Sequence, residues 1–223
     1  MQLAPRIALW LLVLAPALAA AEEPTGALVV KGYTFEPRLA VGGKRFVLLG
    51  AGVRKKLIAD VYAMGLYVEE ERARHAFPAL AAKAKGRDQA KLLADGRAES
   101  FFLWGSFIKH AVLHFVVDVP ADQVRAGFEE GLEPMLSEKA LPELRERARA
   151  FVALFDRDMK EGEQIVLRTL PSGAIEVTLA GVKKEAPTDA RLARAIWETW
   201  LAARPASSDL RRALVEHIDV LGR

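Results

Sequence analysis

Apolar positions along this chain recur at two periods, that of a strand and that of a helix. Residues 27–70 read as sheet. Phe46-Val47-Leu48-Leu49 is a short apolar run between Gly42-Gly43 and Gly50-Ala51-Gly52, and Leu57 to Val68 is a longer run rich in Val, Ile and Tyr. The glycines are expected to form the turns between these strands. From Glu69 to Asp95, Ala76, Leu80, Ala84, Ala90 and Leu93 fall at helical spacing with Gly86 as a break, which predicts two short helices. Strand character returns at Glu99 to Trp104 and at Lys109 to Val119, where Pro120 ends it.

Beyond Pro120 the helical period dominates. Val124, Phe128, Leu132 and Leu136 recur at every fourth position of a helix opened at Asp118 or Pro120. Pro142 opens another, with Leu144, Ala148, Phe151, Val152 and Phe155 as its apolar stripe and Gly162 as its expected end. Gln164 to Leu170, Pro171-Ser172-Gly173 and Ala174 to Ala180 read as a hairpin in which Ile175, Val177 and Leu179 mark the buried side. Thr188 and Asp189 are N-cap candidates for a helix reaching about Ala202, and Ser207 or Ser208 caps a last one through Val220. Strands and helices occur in runs without a regular βαβ rhythm. This order predicts one α+β domain, an antiparallel sheet with helices on one face.

The first residues follow a different logic. Arg6 is the only charge before Glu22, and it precedes the apolar run Ile7 to Ala15, Pro16 and the small-residue stretch Ala17 to Ala21. The run is shorter than the roughly 20 apolar residues a spanning helix needs, and Ala17-Leu18-Ala19 has the small-x-small pattern of a cleavage site. The expected plan is a signal peptide at 1–21 and a single domain at 22–223, periplasmic or secreted, with no integral membrane segment after cleavage. An uncleaved N-terminal anchor is the alternative.

Composition narrows the chemistry. The chain has no cysteine, which excludes disulfides, thiolate zinc sites, iron–sulfur clusters, thiol nucleophiles and a lipoprotein anchor. Its 32 Lys+Arg against 29 Asp+Glu are interspersed and nearly balanced, so no nucleic-acid partner is expected. Gly50-x-Gly52 is no dinucleotide fingerprint, because Lys55 stands where the third glycine belongs and the following residues are strand-like. No serine lies in a Gly-x-Ser-x-Gly elbow. His110 and His114 are the closest histidine pair, yet on a strand they are about 13 Å apart at roughly 3.3 Å per residue, too far for one metal. They are expected to be partly exposed residues on the sheet. No cofactor is expected.

The basic cluster Arg54, Lys55, Lys56 has either of two readings, a solvated corner or an anion site. An arginine pointing inward between apolar runs needs an anionic partner, either Asp60 or a ligand carboxylate or phenolate. On an unbroken strand Arg54, Asp60 and Tyr62 share a face.

At these residues the chain resembles the chalcone isomerase family. The likeness is strongest from Gly50-Ala-Gly-Val-Arg54 through Tyr62-Ala-Met-Gly-Leu-Tyr67-Val-Glu69. It continues through Leu80-Ala-Ala-Lys83, Phe128, Phe151 to Phe155, Pro171-Ser-Gly173, Ala195-Ile-Trp-Glu-Thr199-Trp-Leu201 and Ser208-Asp-Leu-Arg-Arg212. The resemblance implies an open-faced β-sandwich, a large antiparallel sheet with a layer of helices and a ligand cleft between. It implies that Arg54 matches the family's cleft arginine, Lys109 its lysine and Thr199 its C-terminal threonine. Tyr62 stands where the plant enzymes have threonine, Gln123 falls near their catalytic tyrosine and Glu130 near their substrate-binding asparagine, and the Arg54–Tyr62 segment is shorter. Some branches of the family are fatty-acid-binding proteins that use the arginine on the carboxylate.

The candidate ligand residues are therefore Arg54, Tyr62, Lys109 and Thr199. The expected ligand is a small amphipathic molecule, a fatty acid or a polyphenol-like compound. The alternative is an intramolecular lyase acting on a chalcone-like enone; a third reading is a partner-binding domain with a closed cleft. Catalysis needs a polarised carbonyl and a positioned acid. Gln123 cannot replace a phenol as proton donor, and Glu130, if ionised, would repel an anionic substrate, so binding without catalysis is the favoured reading.

Overall fold

The computed structural model describes residues 26–83, 97–202 and 205–222. The expected signal peptide at 1–21, and the second short helix expected around Ala90 and Leu93, lie outside these residues. Nine strands are present among the described residues: β1 (Leu28–Val30), β2 (Tyr33–Phe35), β3 (Arg38–Val41), β4 (Lys44–Lys56), β5 (Ala59–Glu69), β6 (Lys109–Phe115), β7 (Gln164–Thr169), β8 (Ile175–Leu179) and β9 (Val182–Glu185). β3 to β9 form one antiparallel sheet in chain order, and β1–β2 is a separate hairpin. The helices are α1 (Glu70–Lys83), α2 (Arg97–Trp104), α3 (Ala121–Gly131), α4 (Glu133–Leu136), α5 (Pro142–Val152), α6 (Ala190–Leu201) and α7 (Ser208–Leu214), followed by a 3-10 turn at Ile218–Gly222. The architecture is α+β, an open-faced sandwich with a large antiparallel sheet and a layer of helices.

Strand alternation sorts side chains between two unequal faces. Met64, Leu66, Leu113, Phe115 and Leu167 face the helices and pack with Phe128, Phe151, Ile196, Trp197 and Trp200 in the main core. Phe46, Leu48, Ala63 and Tyr67 face the other way, against Phe35 of the β1–β2 hairpin. Helix starts follow their caps. The Asp189 carboxylate accepts the backbone N–H groups of Arg191 and Leu192 at 2.7 and 3.2 Å, and the Ser207 hydroxyl accepts that of Leu210 at 3.3 Å.

Several expectations are corrected. Gly50 and Gly52 lie inside β4 and turn nothing; the connection to β5 is Leu57-Ile58. They are small because α7 crosses them: a Cβ on Gly50 would sit 2.0 Å from the carbonyl oxygen of Ala213, and one on Gly52 2.6 Å from the Ala213 Cβ. Glu99 to Trp104 is helical, because Phe101 and Phe102 reach the core from one side of α2 and Phe101 meets Phe77 and Phe107. Tertiary packing here overrides aromatic strand propensity. The stripe at Val124–Leu136 is interrupted at Leu132 between α3 and α4. α5 ends at Val152, and Gly162, at φ 87°, belongs to the approach to β7. The last helix stops at Leu214 instead of running to Val220.

Candidate functional site

The β4–β5 ladder places Arg54 directly opposite Tyr62, and the register slips immediately beyond them, where Lys55 pairs with Asp60. Val61 is the extra residue of this bulge, so Val61 and Tyr62 both reach the helix-covered side. Asp60 is thereby separated from Arg54 and Tyr62, contrary to the shared face expected of an unbroken strand. Its carboxylate is ion-paired with Lys31 of the β1–β2 turn and lies 3.9 Å from Lys55.

Behind this pair, α3 and α6 stand off the sheet and leave a partly open cleft. The apolar lining includes Val61, Leu113, Phe115, Val124, Phe128 and Trp200, and the polar lining Arg54, Lys56, Tyr62, Gln123, Glu130 and Thr199. The Tyr62 hydroxyl accepts a hydrogen bond from the Trp200 indole at 2.9 Å. Among the described residues no acceptor takes the phenolic proton, which leaves it available to a ligand. Burial holds this phenol above its usual pKa, with the Trp200 N–H and the charge of Arg54 partly offsetting. It is therefore a neutral donor at physiological pH. Arg54 donates one N–H to the carbonyl oxygen of Ala206 and has no carboxylate partner among the described residues. A guanidinium carries five donors, so most of its capacity is unspent. Thr199 is buried, and its Oγ1 has no hydrogen-bond partner. It sits against Gly131, where a Cβ would come within 2.2 Å of that oxygen.

Three of the four residues singled out from the sequence, Arg54, Tyr62 and Thr199, thus line one cleft. Lys109 does not join them. The β5–β6 register pairs Tyr62 with Phe115 but Val68 with Lys109, which puts the lysine six residues along β6, about 20 Å away at roughly 3.3 Å per residue. It lines a second cleft with Trp104, Ser106, Thr169, Arg194 and Trp197. Its ammonium donates to the Gly105 carbonyl at 3.3 Å and lies 5.0 Å from the Phe107 ring centroid. Burial lowers its pKa to about 8.

Trp200 completes the polar end of this cleft, although it is not among the four candidate ligand residues. The signal was present in Trp197 and Trp200, one turn apart on the same side of a helix and adjacent to Thr199. Gln123 and Glu130 also line the cleft. His110 and His114 face the opposite side of the sheet. His114 stacks on Tyr33 at 4.6 Å between ring centroids. His110, expected to be partly exposed, is buried with Nδ1 unpartnered, and burial together with the charge of Arg168 lowers its pKa to about 4. Among the described residues no cluster of His, Asp and Glu suits a metal ion, and no helix is long and apolar enough to cross a membrane.

This combination of a sheet, a helical layer and a cleft between them is that of the chalcone isomerase-like proteins. The family's profile matches residues 27–216, and the chain belongs to that family. Among solved structures it is similar to a fatty-acid binding protein of Arabidopsis thaliana, with a TM-score of 0.69 at 19% identity over 87% of this chain and 98% of that one. At that identity the likeness is one of fold. No curated protein sequence matches.

Proposed function

We propose that this protein binds a small amphipathic carboxylate, a fatty acid or a similar molecule, in the Arg54–Tyr62 cleft, and does so without catalysis. The observation that carries this reading is the pairing of Arg54 with Tyr62 at the polar end of a mainly apolar cleft. Both have unspent N–H or O–H donors, and neither has an anionic partner among the described residues. A carboxylate accepts from both, while Trp200 polarises the phenol from behind. The similarity in fold to a fatty-acid binding protein supports the same reading.

Magnitudes assign the roles. Ten buried methylenes contribute about 8 kcal/mol gross, at about 0.8 kcal/mol each. A hydrogen bond to a charged group contributes about 1.5–3 kcal/mol. The tail then supplies most of the affinity, and Arg54 selects the acid and orients it. Titration of a fatty acid and its matching alcohol tests this. The wild type should prefer the acid by about tenfold or more, and Arg54→Ala should lose that preference. An unchanged preference in the variant overturns the headgroup assignment. The lyase alternative is tested with a hydroxychalcone, whose enone absorbance should decay no faster than in buffer; enantioselective loss well above that rate would replace the binding reading.

The reading includes export. The N-terminal pattern of Arg6, a short apolar run and Ala17-Leu18-Ala19 supports a cleaved signal and a periplasmic or secreted protein. The intact mass of protein recovered by cell fractionation tests it, and a full-length mass in the cytoplasmic fraction contradicts it.

A further inference from the structure

The β4–β5 turn breaks two rules at once. Leu57 and Ile58 are 96% and 99% exposed, so neither contributes to a core. Leu57 also has a φ of 56°, in the left-handed region that two-residue hairpin turns usually give to glycine or asparagine. Nothing within the described fold compensates for placing two large aliphatic side chains here.

Their surroundings are basic. Arg54, Lys55 and Lys56 precede the turn, and the ion pair with Asp60 brings Lys31 beside it. Asp60 engages Lys31 and Lys55, which leaves Lys56 without an ion-pair partner among the described residues. Val117, 40% exposed, follows Val116, whose N–H bonds to the Val61 carbonyl at 3.1 Å, so it adds apolar surface at this end of the sheet. Asp118, the next acid along, is neutralised by Lys160 at 3.0 Å.

We propose that this turn is a docking tip that inserts Leu57 and Ile58 into the surface of an anionic lipid bilayer while the surrounding lysines meet the headgroup phosphates. A projecting apolar pair inside a cationic collar suits a bilayer interface, where burial of apolar side chains and attraction to anionic lipid act together. It suits a protein partner less, because a standard interface buries about 800 Å² on each side around an apolar centre, far more than a two-residue tip offers. Arg54 and Lys56 also line the mouth of the cleft, so docking would turn that mouth toward the lipid. The proposal stands on the turn itself and does not depend on which ligand the cleft holds.

The absence of cysteine allows a single label in the full chain. An environment-sensitive fluorophore on Ala59→Cys, beside the tip, is compared with one on Val182→Cys, on the far edge strand. With vesicles of phosphatidylglycerol and phosphatidylcholine in equal parts, the label at 59 should shift to the blue and the label at 182 should not. The shift should vanish with pure phosphatidylcholine or in high salt. Adding Leu57→Ser and Ile58→Ser should raise the lipid needed for half the shift by about tenfold, with circular dichroism unchanged. The proposal is overturned if the label at 59 shows no shift with the anionic vesicles, whether or not the protein binds them through other residues, or if the double serine variant docks as well as its parent. Fatty-acid titration without vesicles reads the cleft separately, so the two readings fail independently.

Discussion

The two ends of β6 carry two clefts on the same face of the sheet, both closed by α6, and they treat positive charge in opposite ways. At the Phe115 end the cation, Arg54, sits at the rim, while the more enclosed polar groups are neutral, Tyr62 and Thr199 with the Trp200 indole behind the phenol. At the Lys109 end the rim arginines, Arg191 and Arg194, are already paired with Asp189 and Glu198, and the remaining cation, Lys109, is buried, satisfied by one carbonyl and an aromatic face. A cation at the rim with spare donors is available to an anion. A desolvated one gives up part of its charge, as the pKa of about 8 for Lys109 reflects. Residue type alone does not distinguish a cation with spare donors at a cleft rim from a buried one; position along the strand does.

The largest expected effect sharpens this contrast through pH. Lys109 has a folded pKa of about 8 against 10.5 for an ordinary lysine. Between these values the unfolded chain binds more protons than the folded one, so the contribution of this residue rises with pH across that window and is a full penalty below it. The gain amounts to roughly 3 kcal/mol. Urea unfolding of wild type and Lys109→Met at about pH 7 and about pH 10.5 should show the variant lacking this rise, with the wild type closing the gap in alkali. A parallel pH dependence in both proteins would mean that the lysine is solvated.

A smaller effect is expected at the other end from Gly131→Ala. The added Cβ would meet Thr199 Oγ1 at 2.2 Å and its Cβ at 2.9 Å, so the α3–α6 contact beside the cleft must give way. A loss of about 2 kcal/mol in thermal or urea unfolding is expected, together with weakened fatty-acid binding. Stability loss with full binding would remove Thr199 from the cleft wall. Smaller still is Trp200→Phe, which keeps the ring but deletes the N–H to Tyr62. It should weaken fatty-acid binding several-fold, about 1 kcal/mol, while leaving Lys109 and its pH window untouched. Calorimetric titration beside the urea curves checks both halves.

Much of the architecture is written in local pattern. The Pro171-Ser172-Gly173 hairpin, the start at Pro142 and the caps Asp189 and Ser207 depend on residues within a few positions of one another, and each forms as its pattern dictates. What local pattern could not show depends on distant neighbours. Gly50 and Gly52 look like turn residues, but their smallness answers to α7, more than 150 positions later. Phe101 and Phe102 read as strand until Phe77 and Phe107 take them as a helical face. The site shows the same division. Arg54 and Tyr62 are recognisable as a pair, yet their direct apposition needs a hairpin turn between them, and the loss of Asp60 from their face needs the bulge at Val61. Lys109 is a plausible anchor by type and by family resemblance, and only the β5–β6 register moves it to the other end of the strand.

The most direct test of the account uses the tryptophans as reporters of the two clefts. Trp200 bonds to Tyr62 in one, and Trp104 and Trp197 line the other, with the Trp197 indole donating to Thr169 at 2.6 Å. In a fatty-acid titration followed by the indole N–H signals of nitrogen-15-labelled protein, the Trp200 signal should move most with bound ligand, that of Trp197, whose ring lies 6.0 Å from Trp200, should move less, and that of Trp104 should stay in place. Movement of Trp104 and Trp197 with a stationary Trp200 would place the ligand at Lys109 and contradict the central claim.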